Sequence, residues 1–474
     1  MLKKASFLIL SFLFISQIGH GQEIKIPLGS IVDSIPAADT TGNSFSLYLP
    51  QDYSEKEQWP IIFVFDPKGR GRAATQLFRT IAEQQSYIIA ASNLNLEKDS
   101  LQNNIKKVGP FVNQVDGMLP LDREQVYIAG LAEGGQLATA LPFIFNNVSG
   151  VLAIEDAWIN TQYLNSSNKF MFSAIACDRN NSMNTLKEIV SYMDQEDFPT
   201  EMNYYSCEKE IEWPSVDVIQ NAVTGFTLNA IKEGSRPKDL DLVRTLFNEE
   251  VAYAEVLRRR RDYYRAFEKL QQIEEKYEDF DLETDLKDRI RDIRRNDAFR
   301  EQRRNYRNAT AKEEESQQEY IYFMETDVVT ANFENIGWWA AKVAELEEMA
   351  EKSNGAQQKM ASRLQGFLDV LSKNYYDNYV NSAADSKTKI FVSILRTIFD
   401  KKDPEAYLNI IKIAGHDGDH QTALLYLEDL LKTGFDDMEA LYDIKGILDL
   451  KISEPYNDKI REYLGEAKYY KAGN

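Results

Sequence analysis

Histidine is almost missing from this sequence. There are three in 474 residues, and only His416 and His420 lie beyond residue 21. Chemistry that needs an imidazole to carry a proton must therefore take it from the far C-terminal end. Cysteine is nearly as scarce. Cys177 and Cys207 are the only two, so the chain can close one bridge at most. No segment after the N-terminal residues approaches 18 consecutive apolar side chains, which excludes a membrane-spanning helix there. Basic residues are outnumbered, 55 Lys and Arg against 75 Asp and Glu, for a net charge of −20. Residues 1–21 hold two lysines and no acid, so the remainder carries −22. A body this acidic repels nucleic acid and anionic lipid at long range. The one basic cluster, Arg258-Arg259-Arg260-Arg261, reads as a solvated helix face paired with nearby glutamates.

What is present is enough apolar material, 43%, to bury real cores, and enough length for two or three domains. The start, MLKKASFLILSFLFISQIGHGQE, has Lys3 and Lys4, then an apolar run, then Gly19-His20-Gly21. That is the pattern of a secretory signal peptide over 1–21. It sets the expectation of an exported, periplasmic or extracellular, envelope-associated protein. Export also makes a Cys177–Cys207 disulfide permissible. If the two cysteines end neighbouring parallel strands, their Cα atoms fall about 5 Å apart, within bridging range, with two buried thiols as the alternative.

Between 43 and 233, apolar runs alternate with helical stretches. FSLYLP (45–50), PIIFVFDP (60–67), YIIAAS (87–92), QVYIAG (125–130), VSGVLAIE (148–155) and KFMFSAIACD (169–178) read as strands. TQLFRTIAEQQ (75–85), NNIKKVGPFVNQVDGML (103–119), QLATALPFIF (136–145) and TLKEIVSYM (185–193) read as helices. Near-continuous apolar strands separated by helices predict a doubly wound α/β domain, with a mostly parallel sheet covered on both faces, over 22–235. After Gly234-Ser235-Arg236-Pro237 amphipathic helices dominate, predicting an all-α domain over 236–474. Two stretches there echo each other, VLRRRRDYYRAFEKLQQIEEKYEDF (256–280) and IIKIAGHDGDHQTALLYLEDLLKTGFDD (410–437). Aligned on Asp262 and Asp419, they match at Ala266/Ala423, Leu270/Leu427 and Ile273/Leu430. Small residues where helices cross, with large ones a turn or two later, suit a stacked helix pair. Both units resemble tetratricopeptide repeats, which implies a groove for a protein partner. The charged stretch 298–320 reads as an exposed helix or a partly disordered link.

Residues 126–141, VYIAGLAEGGQLATAL, run from a strand through a glycine-bracketed turn into a helix. Hydrolases hold a nucleophilic serine in such a turn, G-x-S-x-G, where glycines permit the sharp bend. With IIFVFDPKGRG, AIACD and EIEWPS, this makes 43–233 resemble the α/β-hydrolase fold, in the secreted feruloyl-esterase and polyhydroxyalkanoate-depolymerase branch. Carried over position by position, the resemblance places Ala132 where the nucleophile stands and Ile211 where the histidine stands. Asp178 falls at the acid position, and Asp66-Pro67 replaces the oxyanion-loop His-Gly. A methyl group cannot attack and an isoleucine cannot carry a proton, so the resemblance implies a pseudoenzyme. Asp66, Glu133, Asp178 and Trp213 are the candidate lining of the former cleft.

Other chemistries were weighed on these residues. Glu133 and Asp178 could act as paired carboxylates, but without a base they read as a helix cap and an acceptor for loop amides. Cys177 has no histidine to activate it. His416-Asp417-Gly418-Asp419-His420 has a metal-like look, yet it falls at an inter-helix turn, where a small residue and a cap are wanted. Of Trp338 and Trp339, adjacent on a helix, only one easily reaches the core. Asp66, Arg70 and Arg72 read as an exposed loop. No cofactor is called for. The function expected is binding or scaffolding in a cell-envelope complex, membrane-associated through its partners, with protein partners on the helical repeats and no nucleic acid. The rival is a serine-less esterase with a helical lid that brings His416 or His420 to Asp178.

Overall fold

A computed structural model describes residues 26–38, 42–160, 162, 164, 169–207, 211–282, 284–353 and 355–469. The signal peptide expected at 1–21 lies outside them. Eight strands form one sheet: β1 (Ile31–Pro36), β2 (Ser44–Tyr48), β3 (Trp59–Phe65), β4 (Ile88–Ser92), β5 (Leu121–Leu131), β6 (Val148–Ile154), β7 (Met171–Cys177) and β8 (Thr200–Tyr205). Their spatial order is β1-β2-β4-β3-β5-β6-β7-β8. β2 is antiparallel to both its neighbours, and every pairing from β4 to β8 is parallel. Helices cover both faces, which is why the central strands read as unbroken apolar runs. In β3, Ile61, Phe63 and Phe65 enter one core while Ile62 and Val64 enter the other. The first core takes α2 (Leu101–Met118), α3 (Glu133–Ala140) and α4 (Ser182–Gln195); the second takes α1 (Gly71–Gln85) and α5 (Val216–Glu233). This is the strand order and layering of an α/β-hydrolase sheet.

The rest is helical: α6 (Leu240–Arg259), α7 (Tyr263–Lys276), α8 (Leu286–Arg295), α9 (Asp297–Thr330), α10 (Ile336–Lys352), α11 (Gly355–Val380), α12 (Ser386–Phe399), α13 (Pro404–His416), α14 (His420–Lys432), α15 (Met438–Asp443), α16 (Leu448–Lys451) and α17 (Glu454–Leu464). Part of the acid excess is spent on helix starts. The Asp239, Asp262, Asp385, Asp403, Asp419 and Asp437 carboxylates each accept a first-turn backbone N–H. Asp262 and Asp419 cap the second helix of their two hairpins, and Ala266 and Ala423 are fully buried behind them. Trp339 is buried with its indole donating to Asp327 at 2.8 Å, while the half-buried Trp338 packs edge-on against Phe323. In the basic cluster, Arg258 pairs with Glu255 in solvent. None of the described helices is long and apolar enough to cross a membrane.

The stretch 298–320, expected as an exposed helix or a partly disordered link, is a largely exposed helix. It lies inside the 34-residue α9 and buries Phe299, Ala309, Glu313, Ser316 and Tyr320. Its charge density hid that stripe, because one of the buried groups is itself a glutamate.

Charges also bind the sheet edge to the first helical hairpin. Glu201 of β8, Glu250 of α6 and Lys269 of α7 are buried, and the Lys276 side chain of α7 is 9% exposed. Lys276 Nζ lies 3.0 Å from Glu201 and 2.9 Å from Glu250, and Lys269 Nζ lies 2.6 Å from Glu250. Burial alone would raise the Glu250 carboxyl, but the two ammonium groups outweigh it and hold it below the ordinary glutamate value of 4.5. A depressed carboxylate stabilises the fold above its unfolded value and loses that contribution as pH falls toward the folded one. Denaturant midpoints of the intact chain should therefore drop between about pH 6 and about pH 3. The drop should be shallower in Glu250→Gln, which starts from a lower midpoint. A variant as acid-sensitive as the parent would contradict this.

Candidate active site

The turn between β5 and α3 keeps the full strain of a nucleophile elbow. Ala132, at its apex, has φ 49° and ψ −117°, a conformation that costs a non-glycine residue of order 1–3 kcal/mol. Its amide donates to Ile154 at 2.8 Å, and its carbonyl accepts from Gly135 and Gln136. The flanking glycines answer a steric demand. A Cβ on Gly130 would sit 1.9 Å from the Gly134 carbonyl oxygen, and one on Gly134 would sit 2.2 Å from that of Phe65. The apex methyl, packed against the second core, has nothing to donate or attack with.

Glu133 opens α3 and is exposed. It faces Asp156, whose carboxyl is raised by burial and by the Glu133 charge while Gln136 donates to it at 2.6 Å. No side chain caps the start of α3, so Glu133 is a first-turn charge rather than the cap read from the sequence.

Asp66, at the end of β3, is 1% exposed, which corrects the exposed-loop reading. Its Oδ1 accepts the backbone amides of Lys68 at 2.9 Å and Arg70 at 3.1 Å. The Arg70 guanidinium grips both carboxylate oxygens, and the Trp213 indole donates to Oδ2 at 2.8 Å. Burial would raise this carboxyl; Arg70 and Trp213 turn the balance and hold it below the usual aspartate value. Loop amides in this position serve a hydrolase as half of its oxyanion hole. Here a resident anion already occupies them. Arg70 remains half-exposed above it, and Arg72 is exposed.

Asp178, directly after β7, is 3% exposed. It does not accept loop amides, as the sequence suggested. Its Oδ2 pairs at 2.5 Å with Lys359 Nζ of α11, which also donates to the Tyr306 phenol of α9 at 2.9 Å. Ser206 reaches the same oxygen at 3.4 Å. Burial would lower the Lys359 ammonium, but Asp178 and Tyr306 together hold it above the ordinary lysine value. Arg363 of α11 donates to the Asp178 carbonyl at 2.6 Å and clamps buried Glu313, which also accepts from Asn184 of α4. The acid end of the sheet is thus a seam against the helical half.

Cys177 and Cys207 form a disulfide across the ends of β7 and β8, Cα atoms 5.6 Å apart. Sequence reasoning missed Glu155, the residue after β6, which is buried at φ 67°. It accepts the Cys177 amide, Asn180 at 2.8 Å and Ser182 at 2.9 Å, and burial raises its carboxyl. An acid closing the apolar run VLAIE was the available signal.

Ile211, which the resemblance sets at the histidine position, is 46% exposed and supplies no polar group. His416 ends α13 with its ring beside Asp417, and His420 begins α14 after the Asp419 cap. Among the described residues no three His, Cys, Asp or Glu side chains gather as a metal would need. Of the four residues named as cleft lining, Asp66 and Trp213 meet each other, whereas Glu133 and Asp178 have separate neighbours.

No protein-family model and no curated relative matches the sequence. Among solved structures, 40% of the chain is similar to 84% of a serine-to-alanine mutant of the feruloyl esterase module from Clostridium thermocellum, complexed with sinapinate (12% identity, TM-score 0.34). A substrate-bound, fluorophosphonate-binding serine hydrolase of Staphylococcus aureus is similar over 42% of this chain and 99% of its own (11%, 0.33). An esterase of Pyrobaculum calidifontis is similar over 38% of this chain and 77% of its own (13%, 0.31). The fold class rests on the strand order and the elbow geometry.

Lys359→Met leaves the Asp178 charge buried without its counter-ion, which should cost about 3–5 kcal/mol of unfolding free energy. Adding Asp178→Leu should recover most of that loss, because the pair is then replaced as a unit. Equilibrium denaturation of the two variants checks both steps.

Proposed function

We propose that this chain is a catalytically silent α/β-hydrolase-like protein that acts by binding. In this reading it is exported, and its helical half, with two hairpins that resemble tetratricopeptide units, presents a surface to a protein partner in the cell envelope. One observation carries the silent part. All three stations of a hydrolytic site are occupied by groups that oppose the chemistry. The apex is the methyl of Ala132, the loop amides hold the Asp66 carboxylate, and Asp178 is committed to Lys359. A tetrahedral oxyanion would form beside a fixed negative charge, with no base to remove a proton.

The rival reading needs an imidazole at Asp178. The side chains bonded to its carboxylate are Lys359 and Ser206, and His416 is engaged with Asp417. Nothing in this arrangement favours a lid that carries histidine.

The purified chain should hydrolyse short acyl esters at the rate of buffer alone and take no label from a fluorophosphonate probe. Ala132→Ser should gain neither property, since a serine without a base stays a poor nucleophile. Turnover that tracks the purified protein and survives Glu133→Gln and Asp178→Asn would overturn the silent assignment. For the binding half, capture with the intact chain from envelope extracts should enrich a partner, and substitutions on α13 and α14 should release it.

A further inference from the structure

Where the sheet edge meets the first helical hairpin, a cavity of about 770 Å³ opens between β8, α5, α6 and α7. It does not include the elbow; of the residues that the resemblance sets at hydrolytic positions, Asp178 alone lines it. Its volume lies in the range of sites that bury a ligand of several hundred daltons. Two of its wall residues are nine-tenths buried or more and carry unmet hydrogen-bonding capacity. Asp178 is 3% exposed and Arg265 is 9% exposed. Among the described residues, neither Oδ1 of Asp178 nor Nε of Arg265 has a hydrogen-bond partner. A buried polar atom left in that state costs about 1–3 kcal/mol. One is an acceptor and the other a donor. They attract each other without pairing, and Arg265 is held elsewhere, by Glu268 at 2.7 Å and over the Tyr204 ring at 4.0 Å.

The same alternation recurs elsewhere on the wall, where the charges of Asp217 and Arg260 both act on the Tyr253 phenol. Burial, reinforced by Asp217, raises that phenol, so it remains a neutral hydroxyl near pH 7. Ser215 precedes α5 without spending its hydroxyl on the cap. Charges of both signs line it, Asp178, Asp217, Glu249, Asp262 and Glu268 against Arg260, Arg265 and Lys269, so a net charge of either sign on a ligand meets like charge. Hydroxyl groups donate and accept at once, which is what interleaved donors and acceptors demand. The half-buried Tyr253 ring adds a flat apolar surface.

We propose that this cavity binds a neutral polyhydroxylated ligand, a saccharide of one to three rings. Its inner hydroxyl sits between Asp178 and Arg265, and its outer ring lies against Tyr253. This assignment does not depend on whether esters are cleaved, nor on the partner surface of α13 and α14.

Calorimetric titration of the disulfide-intact, full-length chain with glucose, xylose, maltotriose, cellotriose and xylotriose provides the test. At least one should bind with a dissociation constant in the millimolar range or tighter. Tyr253→Ala and Asp217→Asn, both away from the buried seam, should each weaken it tenfold or more while leaving the thermal unfolding midpoint in place. A charged set (glucuronate, inorganic phosphate, trialanine zwitterion) should bind at least tenfold less well. Absence of heat from all five sugars would overturn the proposal, as would preferential binding of a charged probe. Sugar binding unchanged in both variants would overturn it too, by placing the site elsewhere.

Discussion

The arrangement of the whole chain depends on charges that have been taken out of water at one boundary. Asp178–Lys359, Arg363–Glu313 and the Glu201–Lys276–Glu250–Lys269 group join the C-terminal edge of the sheet to helices α6, α7, α9 and α11. Such pairs add little net stability compared with apolar residues of the same shape, because desolvation consumes most of the attraction. Misalignment, however, is costly, since any shift leaves a charge buried and alone. A seam of this kind fixes orientation more than it adds affinity. The cavity beside it inherits its shape from that fixed orientation, because β8 and α5 form one side and α6 and α7 the other.

Elbow strain and elbow chemistry are separable in this protein. The bend at Ala132 lets α3 leave β5 steeply enough for Gly134 to pass against Phe65 of β3 and Gly135 against Asp156. Those contacts are required by the layer packing whatever side chain sits at the apex. A strained residue usually points toward function, because strain persists only where the surroundings over-determine it. Here the surroundings are the backbones of three neighbouring segments, and they suffice. The strained turn is held by glycines whose neighbours leave no room for a Cβ.

How much of this could be read from residues alone varied with what each element buries. β3, β5, β6 and β7 bury apolar side chains on both faces, and their runs stood out. β8, TEMNYY, was not singled out because the residues it buries, Glu201 and Asn203, are polar. β1 was passed over because IVDSIP is half-exposed and interrupted by Ser34 at φ 57°. In α9, buried Glu313 and Ser316 look like surface in any hydropathy pattern. Ala132 and Ile211 stood out in the sequence because the resemblance sets one residue type at each position. The counter-ion of Asp178 did not. Lys359 lies 181 positions from Asp178, and no local pattern announces a counter-ion at that separation.

The same difficulty applies to the carboxylate directly after β7. The end of a parallel strand is the place in this fold where a carboxylate can be buried yet still meet groups from another layer. In a hydrolase the group it meets is an imidazole, and the carboxylate orients it. Without an imidazole, a buried carboxylate there is a liability of several kcal/mol unless another cation faces it. Lys359 is that cation, delivered by a helix nearly two hundred residues away and steadied by the Tyr306 phenol. One oxygen of Asp178 is satisfied in this way, and the other is not. A purely structural join would gain by satisfying both. The remaining acceptor, set against an equally unpartnered donor on Arg265, is the feature that packing between the two halves does not account for, and it lies on the wall of a large space that both halves enclose together.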